Sequence, residues 1–268
     1  MDGNGTGVFM LSRVDCYWRV FGTAFNFFVF GLGGLALRVL VFPLINLLIW
    51  ERQLRTLLAR NVIRYAFRGF IGLLRMAGIL RYEIAGLERL ERKGLLILAN
   101  HPTLIDTVFL MAFVKQADCI VKSALWRNPF THGPVRAAGY ISNDSGVGLI
   151  EDCIGSLENG SNLIIFPEGT RTPANGEINL KRGAANIAIR GGWNVTPIVI
   201  RCSPPMLGKG VRWWRVPTRR SHFRIEVRED IDVLSFIADA GSEVLAARRL
   251  TDFLQNYFIK ENTRDAAA

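Results

Sequence analysis

Val20–Leu37 is 18 residues long and carries no charged side chain. As a helix it reaches about 27 Å, close to the thickness of a bilayer's hydrocarbon core. A chain holding such a segment must either bury it on all sides or give it to lipid. So long an uncharged run is uncommon in soluble folds, and lipid is the expectation. Arg38 ends the run, and Val39–Trp50 adds a second, largely apolar stretch of 12 interrupted by Pro43. Two arrangements are open: one tilted span, or a helical hairpin that enters a leaflet and returns, bent near Arg38 or Pro43. An acidic residue and a long lead precede the run and no small-residue cleavage site comes after it, which argues against a cleaved signal peptide. Gly31, Gly33 and Gly34 read as close helix packing rather than a nucleotide loop. Met1–Asp15, polar and Gly-containing, reads as loose.

Glu51–Arg75 has the pattern of a basic amphipathic helix. Arg52, Arg55, Arg60, Arg64, Arg68 and Arg75 punctuate Leu57, Val62, Ile63, Phe67 and Phe70. Such a helix suits an anionic membrane surface, where each cation contributes about 1 kcal/mol. A solvated face packed against the domain is equally compatible, and both can hold. The positive excess places the remainder of the chain on the cytoplasmic face, of the inner membrane in a bacterium. Over the whole chain, 33 Lys and Arg against 23 Asp and Glu give a net charge of +10, and half the residues are hydrophobic. Charge alone admits anionic lipid, a phosphorylated substrate or nucleic acid. Aromatic–basic interleaving is confined to Arg212–Arg220, around Trp213 and Trp214, so nucleic acid is not the expected partner. Those two tryptophans read equally as an interfacial anchor and as core or lid residues. Cys16, Cys119, Cys153 and Cys202 have no metal or disulfide spacing and read as free thiols.

From Arg81 onward short apolar runs alternate with helical patterns. Strands are expected at Tyr82–Ile84, Leu95–Ala99, Cys119–Lys122, Gly139–Ser142, Asn162–Phe166, Val195–Arg201 and Phe223–Val227. Helices are expected after His101 and at Val147–Leu157, Ala184–Arg190 and Ser242–Ile259. The alternation predicts an α/β fold, a mostly parallel sheet flanked by helices. Residues 1–80 then form the membrane-anchoring helical hairpin and basic helix, and 81–268 the catalytic domain.

Two of these strands end in chemistry. In LLILANHPTLIDTVFL, Leu95–Leu110, His101 sits where a strand stops and a helix begins, with Thr103 as the expected N-cap. Asp106 is near enough in a bent segment to hold one ring nitrogen, which would make the other a positioned general base. In IIFPEGTRT, Ile164–Thr172, a buried strand ends in a turn carrying Glu168, Gly169, Thr170 and Arg171. Gly169 and Thr170 let the backbone turn and offer N–H groups to an anion, and Arg171 suits a forked grip on phosphate. Active sites of open α/β sheets gather at such strand ends. His132 and His222 have no comparable company and read as structural or surface residues.

NHPTLID followed by FPEGTRT resembles the first and third motifs of the glycerolipid acyltransferases of the lysophosphatidic acid type. IVKSALWRNP (Ile120–Pro129) resembles the family's lysine-containing segment, AAGYISND (Ala137–Asp144) occupies the second motif, LKRGAANIAI (Leu180–Ile189) comes after the third, and VTPIVI (Val195–Ile200) resembles the fourth. The likeness covers roughly Glu83–Glu229, and the apolar amino-terminal region is similar to the family's membrane-dipping helix pair. It implies transfer of an acyl group from a thioester, acyl-CoA or acyl carrier protein, to a lipid hydroxyl, with no other cofactor. His101 would be the base and Asp106 its partner, with Lys122, Glu168, Gly169, Thr170 and Arg171 binding the acceptor. No acyl-enzyme and no metal are implied. The second motif departs from the family, because Asn143–Asp144 stands where an acidic residue and then a phosphate-binding arginine are expected. A carboxylate beside a phosphate is repulsive, so Asp144 either points away or meets a cationic or uncharged acceptor, as in divergent bacterial members associated with aminolipids or aryl-polyene lipids. Arg171, Lys122, Lys181 and Arg182 could still bind a phosphate, and a non-catalytic lipid-binding scaffold of the same fold is the competing class. Acyl length, donor carrier, acceptor and oligomeric state stay open.

Overall fold

The computed structural model describes residues 4–128, 131–144, 146–173 and 175–263. Helix α1 (Asn4–Ala36) passes through a π-helical turn at Leu37–Val41 into α2 (Phe42–Leu48). Of the stretch expected to be loose, residues 4–15 are helical, and Met1–Gly3 lie outside the described residues. The chain becomes extended at Ile49 and returns as α3 (Arg52–Met76). Trp18 Nε1 donates to the Ala77 carbonyl at 2.9 Å, and Phe30 packs on Phe70 at 4.8 Å between ring centroids, so α1 and α3 run antiparallel. The hairpin therefore reverses at residues 49–51, not near Arg38 or Pro43, and its returning arm is the basic helix. The helix absorbs both interruptions: a π turn accommodates the extra residue, and Pro43 lies in the first turn of α2, where its missing N–H costs little.

Helix α1 is amphipathic in the inverted sense. Arg19, Thr23 and Asn26 face inward and are buried, while Phe21, Phe25, Phe28 and Leu32 are exposed. A soluble helix does the opposite. Close packing on this helix falls at Gly22, where a Cβ would meet Ile79 Cδ1 at 2.8 Å. Gly31, Gly33 and Gly34 face open space, contrary to the expectation from sequence.

The remaining elements are, in order, β1 (Leu80–Ala85), β2 (Leu96–Ala99), α4 (Asp106–Phe113), β3 (Ala117–Val121), α5 (Ser123–Arg127), α6 (His132–Ala138), β4 (Ile141–Ser142), α7 (Leu149–Glu158), β5 (Asn162–Ile165), α8 (Gly183–Gly191), β6 (Val195–Ser203), β7 (Ser221–Val227), α9 (Leu234–Ala238) and α10 (Glu243–Thr263). Among the described residues the strands form one sheet in the order β1-β7-β6-β2-β5-β3-β4. Pairings are parallel except β6 with β7, which is antiparallel. Strand β2, LILA, is fully buried, as a central parallel strand with both faces covered must be. Leu96 and Leu98 join the layer of α7, α8 and α10, and Ile97 and Ala99 join that of α3 and α4. The ends of β2, β5, β3 and β4 consequently leave the sheet at one edge.

Helix α3 contributes Ala59, Ile63, Phe70, Ile71 and Leu74 to the same core as Phe109 of α4 and Phe223 of β7. Arg60 is on this inward face, so the expectation from sequence that it is one of the membrane-facing cations is corrected. Its guanidinium pairs with Asp118 of β3 at 2.7 Å and also donates to the Ala138 carbonyl and Ser161 Oγ. Burial pushes the Asp118 carboxyl up, against the opposing pull of Arg60. Removing one partner of a buried pair costs about 3–5 kcal/mol. Arg60→Ala should lower unfolding free energy by about that amount in detergent, whereas exposed Arg81→Ala should change it by less than about 0.5 kcal/mol. Equal midpoints for the two variants in denaturant titration would show that the pair does not tie the hairpin to the sheet.

Candidate active site

Strands β2 and β5 are parallel neighbours with Leu98 opposite Ile165. His101 and Glu168 each lie three residues beyond that pair, so they emerge side by side. The His101 N–H donates to Glu168 Oε1 at 3.0 Å, the same oxygen accepts from Thr172 Oγ1 at 2.9 Å, and the Thr172 N–H donates to the His101 carbonyl at 2.7 Å. Three bonds thus stitch the two loops together. Asn100 secures the other flank by exchanging two side-chain bonds with the Ile200 backbone of β6, at 2.7 and 2.8 Å.

Helix α4 begins at Asp106, two residues later than the sequence pattern predicts from Leu104, and Thr103 is not its N-cap. The bonding runs the other way: the Thr103 N–H and hydroxyl both donate to the Asp106 carboxylate. His101 Nδ1 lies 2.9 Å from Asp106 Oδ2. Asp106 is fully buried and His101 is 15 % exposed. Burial pushes the Asp106 carboxyl up, and the bonds from His101 and Thr103 oppose it. The imidazole stacks on Phe166 with 4.2 Å between centroids. Its Nε2 has no hydrogen-bond partner among the described residues, so the ring is held from one side and left free on the other.

Gly169 turns the backbone with φ +66°, and a Cβ there would press on the Lys181 side chain at 3.0–3.2 Å. Gly169 and Thr170 are exposed, and the N–H groups of Thr170 and Arg171 have no acceptor among the described residues. Arg171 Nη1 donates to the Leu207 and Gly208 carbonyls at 2.9 and 3.0 Å. Leu207 also accepts from the Leu104 N–H at 3.1 Å. Lys122 is exposed where β3 leaves the sheet, at the edge shared with His101 and Arg171. Asn143 bonds to the Val121 carbonyl and, through its side chain, to the Ser123 N–H, which fixes the β3 and β4 ends to each other. Asp144 is the next residue, and it is exposed.

The residues expected from sequence therefore share one edge, but Glu168 and one nitrogen of Arg171 direct their bonds to protein. Thr103 as a partner of Asp106, and Phe166, Thr172 and Leu207 as site residues, are not evident from sequence. Phe166 and Thr172 lie within FPEGTRT, while Leu207 has no local signal. Cys119, Cys153 and Cys202 offer no nucleophile here: burial pushes Cys153 and Cys202 up to about 12, and Cys119 higher still. His132 binds the Trp126 carbonyl at 2.6 Å, and His222 lies 3.9 Å from Glu83 at the surface.

Burial also pushes the Glu168 carboxyl up, against the His101 and Thr172 bonds. A carboxyl raised on folding stabilises the fold most below its unfolded pKa and loses that contribution as pH rises through the folded value. Glu168→Gln keeps an acceptor oxygen for both bonds and cannot ionise. Its melting temperature relative to wild type should therefore climb as pH is raised from about 4 toward neutrality. A difference independent of pH would mean that the Glu168 charge is not desolvated.

Residues 81–201 match the model of the acyltransferase family. The 1-acyl-sn-glycerol-3-phosphate acyltransferase of Pseudomonas aeruginosa is 30 % identical over 148 residues, 52 % of this chain and 56 % of that protein. Its Helicobacter pylori counterpart is 32 % identical over 112 residues, 39 % of this chain and 47 % of that one. The chain spans about half the length of these curated relatives. The crystal structure of the 1-acyl-sn-glycerophosphate acyltransferase of Thermotoga maritima superposes with a TM-score of 0.68 at 20 % identity, covering 94 % of this chain and 98 % of that one. Residues 81–201 thus resemble the acyltransferases in sequence, and the chain shares the fold of the Thermotoga maritima structure.

Proposed function

We propose that the chain moves a fatty acyl group from an acyl thioester, acyl-CoA or acyl carrier protein, to the hydroxyl of a lysophospholipid or related lipid at the cytoplasmic face of a membrane. The observation that carries this reading is the His101–Asp106 pair with Nε2 unengaged at the sheet edge. As the acceptor oxygen attacks the thioester carbonyl, its proton passes to Nε2 and a carbon–oxygen bond forms. The tetrahedral intermediate then expels the thiolate, which recovers the proton from the imidazolium. Asp106 holds the Nδ1–H tautomer and stabilises the positive ring. The Thr170 and Arg171 N–H groups are candidates for meeting the oxyanion, since those of His101, Thr103, Leu104 and Thr172 are already committed.

Membrane residence is supported by the outward aromatic face of α1 and by Trp50, which is 92 % exposed. Trp213 and Trp214 are also exposed, Trp213 edge-on to Phe27 of α1, which favours the interfacial-anchor reading. For the acceptor, Lys122 and the free donors of Arg171 support a phosphate. Asp144 at the same edge, with Arg171 Nη1 already engaged, supports a second reading in which the acceptor head group is uncharged or cationic, such as an aminolipid.

His101→Ala should reduce thiol release from an acyl thioester, in the presence of membrane lipid, by about 10²–10⁴-fold while leaving the folded chain in the membrane. Asp106→Asn should lower the rate in the same direction with little change in thioester KM. Full activity in a folded His101→Ala variant would refute the base assignment. Lipid mass spectrometry of cells with and without the gene names the acceptor: loss of an acylated phospholipid supports the first reading, and loss of an acylated aminolipid or polyene supports the second.

A further inference from the structure

We infer that a second site, apart from the His101 edge, binds the phosphate of an anionic membrane lipid. A cleft of about 940 Å³ lies where the apolar arm ends and the basic arm begins. Arg38 from the π-helical turn, Arg52 and Arg55 from α3 and Arg136 from α6 line it, over an apolar floor that includes Phe42 and Trp126. The lining contains no carboxylate, and it contains no residue of the His101–Asp106 or Glu168–Thr172 loops.

The guanidiniums of Arg52, Arg55 and Arg136 around one cavity repel each other, and none of the three has a carboxylate partner among the described residues. Glu51 is the N-cap of α3 but is not part of the cleft lining, and the first turn itself contains no acidic residue, so its N–H groups add to the positive field. A tetrahedral anion with several acceptor oxygens relieves this arrangement through forked, charge-assisted bonds. The shape is prepared for it: a Cβ at Gly133 would lie 2.9 Å from Arg38 Cγ, so only glycine lets the Arg38 stem cross α6 there.

The surroundings identify the rest of the ligand. Leu44, Leu47 and Leu48 project outward from α2, the helix that supplies Phe42 to the floor, and Trp50 stands at the turn beyond it. A phosphate seated in the cleft would have its acyl chains beside this apolar surface, at the depth where the candidate membrane segment Asp15–Leu48 ends. A nucleotide would match the arginines but leave the apolar rim unused. Occupancy of the cleft by lipid would hold the hairpin, and through α3 the sheet, at a set height on an anionic bilayer.

The test is native mass spectrometry of the full chain in detergent, titrated with phosphatidylglycerol, with diacylglycerol, which has chains and no phosphate, and with adenosine 3′,5′-bisphosphate, which has phosphates and no chains. Phosphatidylglycerol should bind well above the other two. Arg55→Gln/Arg136→Gln should weaken it by about tenfold or more, and the charge-matched Arg81→Gln/Arg248→Gln by less than about twofold. Gly133→Ala, which displaces Arg38 without removing a charge, should weaken it in the same direction and serves where the double variant does not fold. Equal binding of diacylglycerol, no difference between the cleft variants and the charge-matched control, or selective loss of the bisphosphate would each overturn the proposal, the last by assigning the cleft to a nucleotide carrier.

Discussion

The carboxylate of Asp106 is the constraint from which the site is built. An ionised carboxylate taken wholly out of water loses several kcal/mol of solvation, and here it is compensated by the Thr103 N–H, the Thr103 hydroxyl and the imidazole. Because those donors come from one short loop, satisfying the charge fixes the loop's shape, the first residue of α4 and the direction of the ring. Without the aspartate, nothing on that side would choose the tautomer. Phe166 covers one face of the ring, which limits it further and leaves Nε2 as its unengaged end.

The second constraint is the register of two parallel strands. With Leu98 opposite Ile165, equal three-residue extensions bring His101 and Glu168 together without any long-range search. Glu168 then serves as a crosslink, its oxygen shared between two loops. Glu168 thus holds the His101 backbone in place, while Lys122, the Thr170 and Arg171 N–H groups and the remaining Arg171 guanidinium nitrogens still have donors to offer.

What can be read from sequence divides along the same line. The strands, the fold class and the candidate His–Asp pair come from local patterns: apolar runs stopped by polar turns, and two residues five positions apart. Thr103 misleads because a threonine before an apolar helix usually caps it, whereas here the helix's own first aspartate recruits it. Arg60 misleads because a periodic scatter of arginines does not reveal which of them meets a carboxylate 58 residues later. The antiparallel β7 and the Leu207 contacts depend on distant chain segments and have no local pattern. The glycines of α1 mislead for a similar reason, since a glycine's neighbours are set by the partner helix and not by its own sequence.

Leu207 also explains how the apolar helix and the His101 edge form one mechanical unit. It is a non-glycine residue at φ +52°, a conformation that costs on the order of 1 kcal/mol. Its carbonyl offsets that by accepting from Arg171 in one motif loop and Leu104 in the other. The same connection between β6 and β7 continues to Trp213, packed edge-on against Phe27, and to the Pro217 carbonyl, which accepts from Arg19. One loop thus touches both motif loops and the buried stripe of α1. Each apolar side chain that α1 exposes is worth about 1.5–3 kcal/mol when removed from water, so a bilayer that takes up this face also fixes the loop standing on its other side. The outward face of α1 and the Glu168–Thr172 turn are therefore linked through the connection that carries Leu207, so a force applied at one is felt at the other.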